Sequence, residues 1–190
     1  VTIQTGCEQY CSYCVVPYAR GKEVNRSFQD ILQEVRELAQ NGYVEITLLG
    51  QIVNNYKTPE GDFAKLLQEA NKIDGIQRIN WTASHPLFMT DEVIGALTLP
   101  KQVNYLHLPV QSGSDEILRK MNRKHTGDFY IDLIKKIRAK KPDIAIGTDI
   151  IVGFCGETEE QFQKTVDLYK QCDFDIAYLA EYSTRSGTAA

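Results

Sequence analysis

Apolar residues in this chain recur with a period of two, then near 3.6, then two again, from one end to the other, and that alternation limits the fold more than any other feature. Strand-like runs are expected at Val1–Thr5, Val44–Leu49, Ile76–Ala83, Val103–Leu108, Ile144–Val152 and Phe174–Tyr182. Between them lie helical patterns with their own start signals. Ser27 begins one, with Asp30 three residues on and Gly42 past the end. Phe63, Leu66, Leu67 and Ala70 mark the next, ending before Gly75. Thr90 caps a short helix that Pro100 stops. Ser114 and Thr126 are expected to cap two successive helices. Thr158-x-x-Gln161 caps the last, with Phe162, Val166 and Tyr169 expected to face inward.

Six strands separated mostly by helices require a parallel sheet with right-handed crossovers. Pattern alone allows an open doubly wound sheet or a barrel. The position of the unusual residues favours the barrel. Gly50-Gln51, Ser84-His85-Pro86, Pro109–Gly113 and Gly153–Glu157 all follow strand ends, as does the cysteine loop at Cys7–Cys14. Polar and glycine residues at the carboxyl ends of many strands describe a site ringed by βα loops. Six strands are too few for a closed eight-stranded barrel, so the expected fold is α/β, an open partial (β/α)6 TIM-type barrel. At 190 residues, with 43% hydrophobic and 24% charged residues, the chain can bury one sizeable core. One domain, residues 1–190, is expected.

The cysteine loop carries the chemistry. Cys7-x3-Cys11-x2-Cys14 packs three soft ligands into eight residues and supplies no fourth. A closed zinc site takes four ligands, and ferredoxin clusters take four cysteines. Three thiolates suit a 4Fe–4S cluster with one iron left open. A zinc site completed by His85, His107 or His125, a disulfide, and an ordinary turn are the alternatives at this point. Five cysteines and the absence of a secretion signal lead us to expect a reducing, cytoplasmic setting. No apolar run approaches a membrane span. The chain starts without Met and inside a strand, so a segment of a longer protein is expected.

The net charge of −4 argues against a simple electrostatic nucleic-acid binder. A basic run nevertheless extends from Arg119 to Lys141. It could meet phosphate, but its lysines fall largely opposite the stripe Phe129, Leu133, Ile134 and Ile137, which describes a solvated helix face more simply.

Five blocks taken together resemble one family. They are Gly6–Gly21 (GCEQYCSYCVVPYARG), Leu49–Tyr56 (LGQIVNNY), Ser84-His85-Pro86, His107–Asp115 (HLPVQSGSD) and Ile151–Glu157 (IVGFCGE). They resemble the radical S-adenosylmethionine methylthiotransferases, and most closely the MiaB-type branch, which adds a methylthio group to carbon 2 of isopentenyladenosine beside the tRNA anticodon. The branches acting on ribosomal protein S12 and on threonylcarbamoyl-adenosine in tRNA are the related alternatives. An iron–sulfur or zinc-binding module without catalysis is the alternative of another class.

The resemblance implies a partial barrel and a 4Fe–4S cluster held by Cys7, Cys11 and Cys14, whose open iron binds S-adenosylmethionine. It implies reductive cleavage to a deoxyadenosyl radical and a reducing electron-donor protein. Isopentenylated tRNA would be the substrate. The family carries a second 4Fe–4S cluster in an amino-terminal domain and a carboxyl-terminal RNA-binding β domain, both expected to lie outside this chain. Cofactor contacts are implied for Tyr13, Gly50, Gln51, Ser84, Gln111, Arg123, Val152 and Phe154. No protein side chain is expected to be catalytic, and a monomer is the working expectation. Cys155 stands where the family has proline. It and Cys172 are expected to be structural, as buried free thiols commonly are. His85 and His107 are expected to be structural too.

Overall fold

Side-chain oxygens meet the orphan amides at most helix starts in this computed structural model, which describes residues Val1–Ala190. Ser27, Asp62, Thr90, Thr126 and Thr158 each accept from a backbone N–H three residues on. Such a cap stabilises its helix by about 1 kcal/mol. Thr158 and Gln161 form a complete capping box, with the Thr158 N–H donating to the Gln161 side chain at 3.0 Å. Ser114 departs from expectation. It stands at the start of its helix, but its side chain makes no capping bond, and its own N–H donates to Ser112 Oγ at 3.1 Å.

The helices are α1 (Val16–Arg20), α2 (Phe28–Gln40), α3 (Phe63–Asn71), α4 (Asp91–Ala96), α5 (Asp115–Lys120), α6 (Gly127–Lys140) and α7 (Glu159–Cys172). The strands are β1 (Gln4–Thr5), β2 (Val24–Asn25), β3 (Glu45–Leu48), β4 (Lys57–Thr58), β5 (Gly61–Asp62), β6 (Arg78–Trp81), β7 (Tyr105–His107), β8 (Ala145–Val152) and β9 (Ile176–Glu181). The short β2, β4 and β5 were not expected. Being two residues each, they present no alternation for a sequence to display.

The six expected strands survive, most of them shortened at their ends. A parallel bridge from Thr2 to Leu49 sets the first beside β3, which pairs in parallel with β6. A bridge from Ile79 to Gln102 leads on to β7. The strands β7, β8 and β9 then pair in parallel, with His107 opposite Gly147 and Asp149 opposite Tyr178. Each of these strands therefore neighbours the next in sequence and never reverses order. Reversal is what a doubly wound sheet requires, so the sheet is an open (β/α)6 barrel. The ring stops at β9, where Ile176, Tyr178 and Leu179 are exposed.

A cluster of 35 buried residues fills the space between strands and helices. Phe63 meets Trp81 edge to face at 5.4 Å, and the Trp81 indole donates to Ser84 Oγ at 3.0 Å. Each large aliphatic or aromatic side chain buried here contributes about 1.5–3 kcal/mol.

Two helix faces differ from expectation. On α6 the buried side is Tyr130, Ile131, Leu133, Ile134 and Ile137, while Phe129 is exposed. On α7 it is Gln161, Thr165, Leu168 and Cys172, not Phe162, Val166 and Tyr169. The reason is polar. Thr165 Oγ1 accepts from the Gly113 N–H at 2.9 Å and lies 3.2 Å from Ser112 Oγ, and Gln161 donates to Glu116 at 2.7 Å. The helix turns a hydrogen-bonding face toward the loop after β7, and a hydrophobic count cannot register that.

Candidate functional site

The cysteine loop is shaped first by Gly6. Its φ is +75°, in the left-handed region, and a Cβ there would lie 1.9 Å from the Lys22 carbonyl oxygen. Without that atom, Gly21 O comes near enough to accept from the Cys7 N–H at 3.1 Å. Farther on, the Cys14 N–H donates to Cys11 O at 2.9 Å, closing the turn between the second and third cysteines. The loop is then tied to the end of α5. Ser12 N donates to Met121 O and Ser12 Oγ to Lys120 O, while Asn122 Nδ2 donates to Gln9 O and Tyr10 O at 3.0 and 2.9 Å.

Cys7, Cys11 and Cys14 are free and half-buried, and all three open into one cavity of about 600 Å³ at the carboxyl ends of the strands. Burial raises the Cys7 thiol above its ordinary pKa, and the neighbouring sulfurs of Cys11 and Cys14 add to the rise. Burial likewise pushes the Tyr13 phenol well above its ordinary range. No three His, Cys, Asp or Glu side chains gather in the geometry of a single metal ion.

The cavity brings together most of the residues singled out from sequence. Tyr13, Gln51, Ser84, Gln111 and Arg123 line it with the three cysteines. Arg123 is the one Arg or Lys in its wall. Its Nη2 donates to Pro109 O at 3.1 Å and Nη1 lies 3.8 Å from Cys11 Sγ, while Nε is buried with no partner. Gln51 Oε1 is likewise buried with no partner. The loop that carries Gln51 is fixed from below, where Gln4 Oε1 accepts from the Ile52 N–H at 3.0 Å. Ser84 uses its oxygen as the acceptor for Trp81. Gln111 sits at φ +71°, bridged on both sides to β8 through Asp149 O and the Ile151 N–H.

Three candidates lie outside the lining. Gly50 packs beneath the loop, where a Cβ would stand 3.1 Å from Gln4 Cβ. Val152 leans on the main core. Phe154 is buried with Ile117 and Met121, its ring 6.4 Å from that of Tyr13. It supports the cysteine loop from behind instead of facing the cavity.

Other groups at the cavity were missed or weighed as structural. His85 lines it, accepts from the Leu87 N–H at 3.2 Å, and has its pKa pushed down to about 3 by burial, by the Arg123 charge and by His125. His125 is pushed down to about 4 by burial and then by Arg123. Both imidazoles are neutral at pH 7. His107, with Tyr105, Asp149 and Tyr178, forms the part of the wall built by β7, β8 and β9. The available signal was strand alternation. Tyr105 and His107 are two apart, as are Gly147 and Asp149, and each pair points to one face.

The basic run serves mainly to join elements. Lys136 pairs with Asp91, Arg138 donates to the carbonyls of Cys172 and Asp173, and Lys141 donates to Leu97 O. Cys172 is fully buried, with its thiol raised to about 11 by burial. Cys155, expected to be buried, is exposed.

The radical SAM superfamily profile matches residues 1–169. A tRNA-2-methylthio-N(6)-dimethylallyladenosine synthase from Thermoanaerobacter sp. (strain X514) is 55% identical over 194 residues, covering 100% of this chain and 41% of the relative. The protein of that name from Ruegeria sp. (strain TM1040) is 52% identical over 195 residues, covering 100% and 44%. Among solved structures, the radical S-adenosylmethionine methyltransferase TsrM from Kitasatospora setae, with cobalamin and a [4Fe-4S] cluster bound, aligns with a TM-score of 0.78 and 19% identity. The match covers 95% of this chain and 36% of that one. Coproporphyrinogen III oxidase (HemN) from Escherichia coli aligns at 0.66 and 19%, covering 96% and 43%. At these identities the structural likeness concerns the fold alone. The chain spans about two fifths of the length of the curated relatives it matches.

Proposed function

The chain belongs to the radical SAM superfamily, and we propose that it is the radical-generating barrel of an enzyme that adds a methylthio group to carbon 2 of N6-isopentenyladenosine in tRNA. One observation carries the cofactor half of this reading. Three free thiols open into a single cavity that Arg123 and Gln51 also line, and each of these two side chains carries a buried polar atom without a partner, Arg123 Nε and Gln51 Oε1. Buried polar groups left unpaired cost free energy. A ligand with both a carboxylate and an amino group would satisfy a guanidinium and an amide oxygen together, and S-adenosylmethionine has both. The donor set fits the cluster as well. Cys7, Cys11 and Cys14 supply soft thiolates, and they are not gathered about one point as the ligands of a lone zinc ion would be.

In this reading Cys7, Cys11 and Cys14 would hold the cluster, and Tyr13 lines the same cavity. Arg123 pairs with the methionyl carboxylate, its fork geometry suited to the task. Gln51 accepts from the amino group, and Ser84 and Gln111 are placed to meet the remaining polar edges. When bound, cluster and S-adenosylmethionine supply reductive cleavage to a radical able to take hydrogen from an unreactive carbon. The chain's own residues bind, orient and shield. His85 and His125 are held neutral beside Arg123, which is the one Arg or Lys lining the cavity.

Identity of 50–55% to relatives of one name supports the choice of substrate. The second cluster, the RNA-binding domain and an electron-donor protein belong to the remainder of the enzyme and its partners. A cytoplasmic setting goes with them, since tRNA is the substrate. The test is reconstitution of the full-length protein with iron and sulfide, followed by reaction with an isopentenylated anticodon stem–loop under reducing conditions. Methylthio-isopentenyladenosine is the expected product. Its absence, with methylthiolation of ribosomal protein S12 or of threonylcarbamoyl-adenosine instead, would replace this reading with that of a related branch.

A further inference from the structure

The cavity has two chemically distinct walls. The wall at the cysteine loop holds its one Arg or Lys side chain, Arg123, and the wall built by β7, β8 and β9 holds its one carboxylate, Asp149. The cofactor assignment uses the first wall and leaves the second without a role. Strand register builds that second wall. Tyr105 and His107 come from β7, Asp149 from β8 and Tyr178 from β9, with Asp149 directly opposite Tyr178 in the ladder.

A hydrogen-bonded chain runs along it. His107 Nε2 lies 3.1 Å from Asp149 Oδ2, and His107 Nδ1 lies 3.3 Å from the Tyr105 hydroxyl. Burial raises the Tyr105 phenol above its ordinary pKa, so the hydroxyl keeps its proton and shares a hydrogen bond with His107 Nδ1. An ionised carboxylate can only accept, so it is the Nε2–H of the imidazole that donates to Asp149. Only one Asp149 oxygen is engaged, and its side chain is 40% exposed. The ring of Tyr178, a residue 56% exposed, is centred 5.7 Å from that of His107 and adds an aromatic surface. Gly147 makes the arrangement possible, because a Cβ there would lie 2.1 Å from the Tyr105 hydroxyl.

An oriented carboxylate beside an open aromatic face has the chemistry to hold the edge of a flat heterocycle bearing an N–H. We propose that Asp149 accepts from the exocyclic N–H of the substrate adenine while Tyr178 packs against its ring, with His107 and Tyr105 as positioning residues for the carboxylate. An adenine alkylated on N6 retains one such N–H. The proposal rests on the tRNA substrate reading above and assigns the recognition of its base. Because S-adenosylmethionine also carries an adenine, the test must separate the two sources.

In full-length protein carrying its clusters, Asp149→Asn should weaken binding of an isopentenylated anticodon stem–loop by about tenfold, the scale of one charge-assisted hydrogen bond. Fluorescence anisotropy reads this. Affinity for S-adenosylmethionine, read by equilibrium dialysis, should change less than twofold. Tyr178→Ala should weaken the RNA in the same way. His107→Gln, which keeps a donor toward the carboxylate, should lose less than His107→Ala. Weaker S-adenosylmethionine binding with unchanged RNA binding would assign the wall to the cofactor and overturn the proposal. Unchanged affinity for both ligands would overturn it too, leaving a structural polar cluster. Failure of the wild-type protein to bind or modify this RNA would instead sink the functional reading on which the proposal rests.

Discussion

Replacing Gly6 by alanine probes the link between one backbone position and the whole cysteine site. The new Cβ would fall 1.9 Å from Lys22 O, 2.5 Å from Lys22 C and 2.7 Å from Gly21 O. All three atoms are backbone, so no side chain can swing aside, and the strand of chain at Gly21–Lys22 must move by more than 1 Å. That movement breaks the hydrogen bond from the Cys7 N–H to Gly21 O, at about 1 kcal/mol. The left-handed φ of +75° adds about 1–2 kcal/mol for a residue with a Cβ. Together the loss is about 3 kcal/mol, or a fall of about 1.5 M in the urea midpoint at a slope near 2 kcal/mol/M. Gly42→Ala is the control. Its φ is +85°, but a Cβ there meets nothing within 4 Å, so only the backbone strain of about 1–2 kcal/mol applies. Urea unfolding followed by circular dichroism gives the stabilities, and iron content after anaerobic reconstitution reads the site. Gly6→Ala should lose both stability and iron, and Gly42→Ala should lose some stability alone. Equal destabilisation by the two, with full iron loading of Gly6→Ala, would refute the claim that this contact shapes the loop.

Replacing Cys7, Cys11 and Cys14 together by alanine should abolish visible absorption after reconstitution, whereas Cys155→Ala and Cys172→Ala should keep it; loss of the cluster in either of the last two, without unfolding, would contradict the ligand set. The 190-residue chain, reconstituted and reduced, should release deoxyadenosine from S-adenosylmethionine slowly and methylthiolate nothing, and repeated methylthiolation by it would mean that no further domain is needed. The depressed histidine pKa values make stability fall in acid. With folded values of about 3 for His85 and about 4 for His125, the unfolded chain takes up protons first, so their contribution is complete above about pH 6.5 and is lost as pH drops toward 4. Between pH 7.5 and 5 each histidine should cost about 2 kcal/mol, and His125→Asn should flatten the wild-type urea-midpoint profile by that amount. An equally steep profile in the variant would reject the argument.

What the sequence makes legible, and what it hides, divides by range. Caps are local, so Thr158-x-x-Gln161 and Thr126 can be read directly from the chain. The cysteine spacing is equally local, and so is the alternation that leads to six parallel strands. The inward side of α7 is hidden because Thr165 is drawn in by the Gly113 N–H and Ser112, some fifty residues away, and not by hydrophobicity. Phe154 is hidden for a similar reason. Its neighbours Ile117 and Met121 belong to α5 and the residue after it, and they pull the ring behind the cysteine loop. The wall of Tyr105, His107, Asp149 and Tyr178 depends on strand register, since His107 meets Asp149 across forty-two positions. Taken singly, each of these four residues reads as an ordinary strand residue.

The central claim concerns which molecule receives the methylthio group, and the nucleosides of tRNA test it most directly. Cells lacking the full-length gene, and the same cells complemented with it, would be compared by mass spectrometry of digested tRNA and of ribosomal protein S12. Disappearance of methylthio-isopentenyladenosine in the deletion strain, accumulation of isopentenyladenosine in its place, and recovery on complementation with S12 unchanged are the predicted results. Unaltered methylthio-isopentenyladenosine with loss of the S12 modification would contradict the account.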